Sequence, residues 1–161
     1  MNEPMAWLSR KDGSVILGHG PFQQASCPPK NGVAFYRQDF SLSDPLPWKI
    51  PRHAEEVESS DFSKRFADAS VQNYTWTPLD PAPFSVVFQE IMSAIREGVF
   101  EKTVPVVTES GSAENNAAPA IVRAMSRTLP PLYSYGWREA NWGFAGETPE
   151  LLFSLEGRCL N

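Results

Sequence analysis

Two polar residues stand where a rigid scaffold could aim them at a small molecule. Lys102 lies in FEKTVPVV, where a helix-like stretch gives way to a strand-like one. Glu150 lies in GETPELLF, after a proline and before an apolar run. Loops and element ends set on a scaffold are where catalytic side chains tend to sit. Each also has a plain surface reading. A lysine just past a helix C-terminus complements the helix dipole, and a glutamate after proline is a common turn residue. Glu150 is therefore either a solvated turn residue or a catalytic acid held in place.

Other candidates fall away on spacing. Gly18–Gly20, GHG, lacks the third glycine and the following helix of a dinucleotide fingerprint. GSAENNA lacks the lysine of a phosphate loop. Cys27 and Cys159 are far apart and read as two free thiols, and His19 and His53 also lie apart. No His, Cys, Asp and Glu cluster has the spacing of a zinc site.

The elements that must position Lys102 and Glu150 follow from pattern. AWLSR, SVILGHG and GVAFYRQDF are short apolar or alternating runs separated by turn residues, and predict an antiparallel meander over residues 1–40. Residues 41–60, SLSDPLPWKIPRHAEEVESS, carry three prolines and several acids and read as a long surface connection. A short amphipathic piece at Phe62–Phe66 and a strand in VQNYTW come next.

The clearest helix begins at DPAPF, with Asp80 as its cap and Pro81 at its first position. Phe84, Val87, Phe88, Ile91, Ile95 and Val99 trace one helical face, and Gly98 marks the stop. EKTVPVV returns to strand residues, with Pro105 signalling an edge or a bulge. SGSAENNA is a loop, and APAIVRAMSRTL is a second helix with Asn116 as its cap. LYSYGW, NWGFAGE and ELLFSLEG then read as a closing meander, with Leu151, Phe153 and Leu155 on one face. The fold class is α+β, a largely antiparallel sheet with flanking helices.

A chain of 161 residues is long enough for one domain with a real core. Its net charge of -5 argues against nucleic acid, which asks for a basic face. No apolar run approaches the roughly 20 residues that span a bilayer. The start, MNEPMAWLSRKDGS, has neither the basic region nor the apolar core of a signal peptide. The expectation is a cytoplasmic protein that handles small molecules, with no nucleic-acid or membrane partner.

Two segments carry a resemblance. PAPFSVVFQEIMSAIREGVFEKTVPVV resembles the helix, I-x-x-G and K-V-V-L-S-R strand of chorismate-utilising enzymes. GFAGETPELLFSLEGRCLN resembles their F-x-G-x-S-P-E-x-L segment with the x-x-G-x-x-L after it. This family includes isochorismate synthase, salicylate synthase, and component I of anthranilate and aminodeoxychorismate synthases. The two polar residues are 48 positions apart, close to the spacing in isochorismate synthases. The family's arginine after V-V-L-S falls on Val107 here, Pro105 stands at an apolar position, and Thr148 replaces a serine.

The resemblance implies roles. Lys102 would be the general base that activates water for attack on C2 of chorismate, and Glu150 the general acid that protonates the departing C4 hydroxyl. The lysine must shed its proton to act, and the glutamate must hold one. A lysine at position 102 favours water over ammonia as nucleophile, because aminating members carry glutamine there.

The resemblance covers only the N-terminal part of enzymes of roughly 400 residues. It implies one half of a two-layered-sheet fold like that of anthranilate synthase component I. It also implies a Mg²⁺ cofactor whose ligands lie beyond this sequence, inactivity of the 161-residue chain alone, and strand edges open to self-association. The competing expectation is a noncatalytic α+β binding or interaction domain.

Overall fold

A hairpin begins the sheet. β1 (Met5–Ser9) pairs antiparallel with β2 (Ser14–Ala25) around a turn in which Gly13 has φ of 88°. The coordinates come from a computed structural model, and residues 3–66, 73–113, 118–126, 131–140, 142–150, 155–156 and 159–160 are described. The chain divides into two compact units, Met1–Val71 with Ala117–Asn161, and Gln72–Asn116.

In the first unit, β3 (Phe35–Tyr36), β4 (Trp48–Glu58), β7 (Tyr133–Arg138) and β8 (Gly143–Thr148) join the hairpin in a six-stranded sheet. The strand order is β3-β4-β2-β1-β7-β8, and every pairing is antiparallel. α1 (Ser59–Lys64) and α3 (Ala118–Met125) pack on this sheet. Met5, Trp7, Val15, Leu17, Phe62, Phe66 and Val122 form the core. Alternation puts Met5, Trp7, Val15 and Leu17 on the helix-bearing face, and Leu8 and Ile16 on the other. The α+β reading with a largely antiparallel sheet and flanking helices holds at this level.

The connection expected over residues 41–60 is overturned. Trp48–Glu58 is an eleven-residue strand paired with β2 along most of its length. Its prolines and acids misled because β3 pairs only with Trp48 and Lys49, which leaves Ile50–Glu58 as a sheet edge. Edges tolerate proline, and charge there discourages pairing with other chains. The β2–β4 register shifts between His19 and Phe22, where Pro21 cannot donate to a ladder. The strand also makes His19 and His53 cross-strand neighbours, with ring centroids 5.9 Å apart, although the sequence separates them.

The second unit holds β5 (Tyr74–Trp76), α2 (Ala82–Arg96) and β6 (Gly111–Ala113), with β5 and β6 paired antiparallel. α2 starts one residue later than expected. Pro81 takes the cap position, and Asp80 Oδ1 accepts the Ala82 N–H at 3.0 Å. Its end follows the expected glycine stop. Gly98 has φ of 73°, Gly98 N–H reaches Ile95 O at 3.1 Å, and Val99 N–H reaches Ala94 O at 2.9 Å. These two bonds are the Schellman pattern, which satisfies carbonyls left free by the last turn.

Two expectations in this unit fail. EKTVPVV forms no strand, and residues 102–110 have no regular structure. Valine-rich composition favours a sheet only where a neighbour pairs with it, and Pro105 removes a donor. SGSAENNA is a loop only in part, because Gly111–Ala113 pairs with Tyr74–Trp76. The expected Asn116 cap and the Leu151–Ser154 part of the last strand lie outside the described residues. β9 (Leu155–Glu156) and β10 (Cys159–Leu160) pair antiparallel.

Candidate functional site

Glu150 stands two residues beyond β8, in the first unit. The strand ends where Thr148 pairs with Tyr133. Thr148 Oγ1 then accepts the Glu150 backbone N–H at 3.1 Å. A hydroxyl two residues back is the bond of an ST-turn, so Thr148 can fix this bend as a serine would. Glu150 itself is exposed. Gly143 and Gly146 belong to β8 rather than to the bend. Tyr135, across from Gly146, lies over it, and a Cβ at that position would fall 2.6 Å from the phenol oxygen.

Lys102 belongs to the second unit, four residues beyond the Gly98 stop. It is exposed, as is every residue from 96 to 110, including Val104, Val106 and Val107. The I-x-x-G of the resembled segment has a physical meaning here: Ile95 supplies the carbonyl and Gly98 the left-handed residue that end α2.

The first unit also carries polar groups that the sequence reading missed. His19 Nε2 lies 2.9 Å from Glu55 Oε1, and Arg65 donates to both Glu55 oxygens, at 2.6 and 2.9 Å. The Arg65 fork, helped by His19, holds the Glu55 carboxyl down at about 2 against the opposing effect of burial. The cross-strand pairing Leu17–Glu55, with His19 two residues on, assembles this cluster. It could not be found without recognising β4.

Lys49 is 1% exposed, unusual for a lysine. Its Nζ donates to Leu46 O at 2.6 Å, Asp44 Oδ2 at 2.8 Å and Gln24 Oε1 at 3.1 Å. With three acceptors for its three protons, Lys49 ties the loop before β4 to β2 and has no donor left for a substrate.

Beside β7, the Arg37 guanidinium lies over the Trp137 ring, 4.4 Å from its centroid, and 5.3 Å from that of Trp142. Glu139 Oε1 is 3.7 Å from Arg37 Nη1 and accepts the Trp137 indole N–H at 2.8 Å.

A magnesium site needs several oxygen ligands. Among the described residues no three His, Cys, Asp or Glu side chains are grouped so as to hold a metal ion, so these residues do not fit one. Among the same residues no helix is long and apolar enough to cross a membrane. Compared with protein-family models, curated protein sequences and solved structures, the chain gives no match in any of the three.

Proposed function

We propose that this chain is the N-terminal part of a chorismate-utilising enzyme, and within that family of an isochorismate synthase. The observation that carries the reading is the pair of resembling segments, which place Lys102 and Glu150 48 positions apart in the expected order. Two local features support it, although the strand expected to carry Lys102 does not form. α2 terminates at Gly98 as the I-x-x-G pattern requires, and Thr148 braces the bend that bears Glu150.

In the proposed reaction Lys102 removes a proton from water, and the resulting oxygen attacks C2 of chorismate. The ring double bonds shift and the C4–O bond breaks. Glu150 supplies the proton with which the C4 hydroxyl leaves as water, so one water enters and one departs. Both side chains are exposed among the described residues. A lysine that must be neutral needs a drier or more cationic setting than that. In this reading further polypeptide provides it, along with the Mg²⁺ ligands, and the 161-residue chain alone is inactive.

The exposure of both residues is also what favours the second reading, a noncatalytic α+β binding domain. The test is the product formed from chorismate and Mg²⁺ by the protein extended through any continuation of its reading frame, identified by NMR. Isochorismate is the expected product. Salicylate, or an aminated product with an ammonia source, moves the assignment to another member of the family. No continuation and no turnover favour the binding domain.

A further inference from the structure

The face of the first unit's sheet opposite the helices bears a groove of about 390 Å³. That is within the range of roughly 300–1,000 Å³ usual for small-molecule sites. Leu8, Ile16, Tyr135, Trp137 and Phe144 line it from β1, β2, β7 and β8, and residues 33–37 complete its wall. These positions share one face because Leu8 pairs with Ile16 and Tyr135, and Trp137 pairs with Phe144. Gly18 makes room for one of the surrounding rings, since a Cβ there would collide with Phe35.

One cation serves this apolar groove. Arg37 is among its lining residues, and its guanidinium rests on Trp137. Its Nη1 is buried with no hydrogen-bond partner among the described residues. The nearest carboxylate, Glu139, stands at 3.7 Å, beyond hydrogen-bond reach, and its Oε1 is engaged by the Trp137 indole. A buried donor without an acceptor is costly and rare.

We propose that this groove binds a small planar aromatic carboxylate, with its ring against Tyr135 and Phe144 and its carboxylate on Arg37. Aromatic walls favour a flat ring in stacked or edge contact. A guanidinium fork is matched in charge and geometry to a carboxylate, which supplies the acceptor that Glu139 does not. This site does not rest on the chorismate reading, since neither Lys102 nor Glu150 lines it.

The test is calorimetric titration of the 161-residue chain with 2-naphthoate and with its uncharged counterpart 2-naphthamide. The expected result is saturable binding of one naphthoate, with naphthamide at least about tenfold weaker, as loss of a charge-assisted pair implies. Arg37→Gln should bring naphthoate down to the naphthamide level and leave naphthamide unchanged. Glu139→Gln, which removes a competing negative charge, should tighten naphthoate several-fold. Leu8→Trp, at a half-exposed position on the groove floor, should weaken both ligands. Circular dichroism verifies the fold of each variant, and if Arg37→Gln unfolds, the comparison of acid and amide on the unaltered chain decides. Absence of saturable naphthoate binding at millimolar concentration, equal affinity for acid and amide, or a folded Arg37→Gln variant that binds naphthoate undiminished would overturn the proposal. Weaker naphthoate binding by Glu139→Gln would also count against Arg37 as the anchor.

Discussion

The indole of Trp7 on β1 occupies the space where residue 136 on β7 would carry a side chain. Gly136 is its cross-strand partner, and a Cβ there would overlap the six-membered ring. The ring is further fixed by its N–H, which donates to Ser134 Oγ at 2.8 Å, and it stands at the centre of the core with Phe62 and Leu17. Gly136→Ala should therefore destabilise the first unit by about 1–3 kcal/mol, the usual cost of overpacking a filled core. Urea unfolding followed by tryptophan fluorescence measures it, and an unchanged midpoint would mean that Trp7 does not sit where the structure puts it.

Acid should weaken the bond between β4 and the end of α1. The Arg65 fork holds the folded-state Glu55 carboxyl at about 2, against an ordinary value of 4.5. A depressed carboxyl contributes stability that is fully present above its ordinary value and is lost as pH falls toward the folded-state one. The stability difference between the unaltered chain and Glu55→Gln should thus be constant above about pH 4.5 and shrink between there and pH 2. Urea midpoints of both proteins across that range test this. A difference independent of pH would remove the Arg65–Glu55 pair from the stability of the fold.

The two units should differ in local stability. No residue from 73 to 113 is buried, whereas β1, β2 and β7 carry several buried residues. Segments with few buried apolar contacts open at low free-energy cost. In hydrogen–deuterium exchange the amides of α2 should exchange well before those of β1, β2 and β7. Equal protection would show that α2 is covered by something the described residues do not include.

What could be read from sequence depended on whether local pattern or distant pairing decided the outcome. α2 was legible in both its span and its glycine stop, because helical periodicity and capping are local. Its apolar face is not buried here: Val87 and Phe88 are 48% and 45% exposed. β4 was illegible because its edge position, set by the brevity of β3, licenses the proline and charges that usually mark a loop. The stretch after Lys102 looked like a strand from valine content alone and found no partner.

Lys102 and Glu150 are proposed for the site chiefly as members of the resembling segments. The Arg37 groove was not legible, since it takes residues from five strands and from the segments flanking β3, and no window of the sequence displays such a set. The Glu55 cluster shares that origin, since each of its members comes from a different element.

The measurement that bears most directly on the account is chorismate turnover, with Mg²⁺, by the protein extended through any continuation of its reading frame, compared with its Lys102→Ala and Glu150→Gln variants. The account predicts conversion to isochorismate by the unaltered protein and a fall of about 10²–10⁴-fold in each folded variant, the usual contribution of a positioned base or acid. Turnover that persists undiminished in Lys102→Ala, or an extended, folded protein that leaves chorismate untouched, would contradict it.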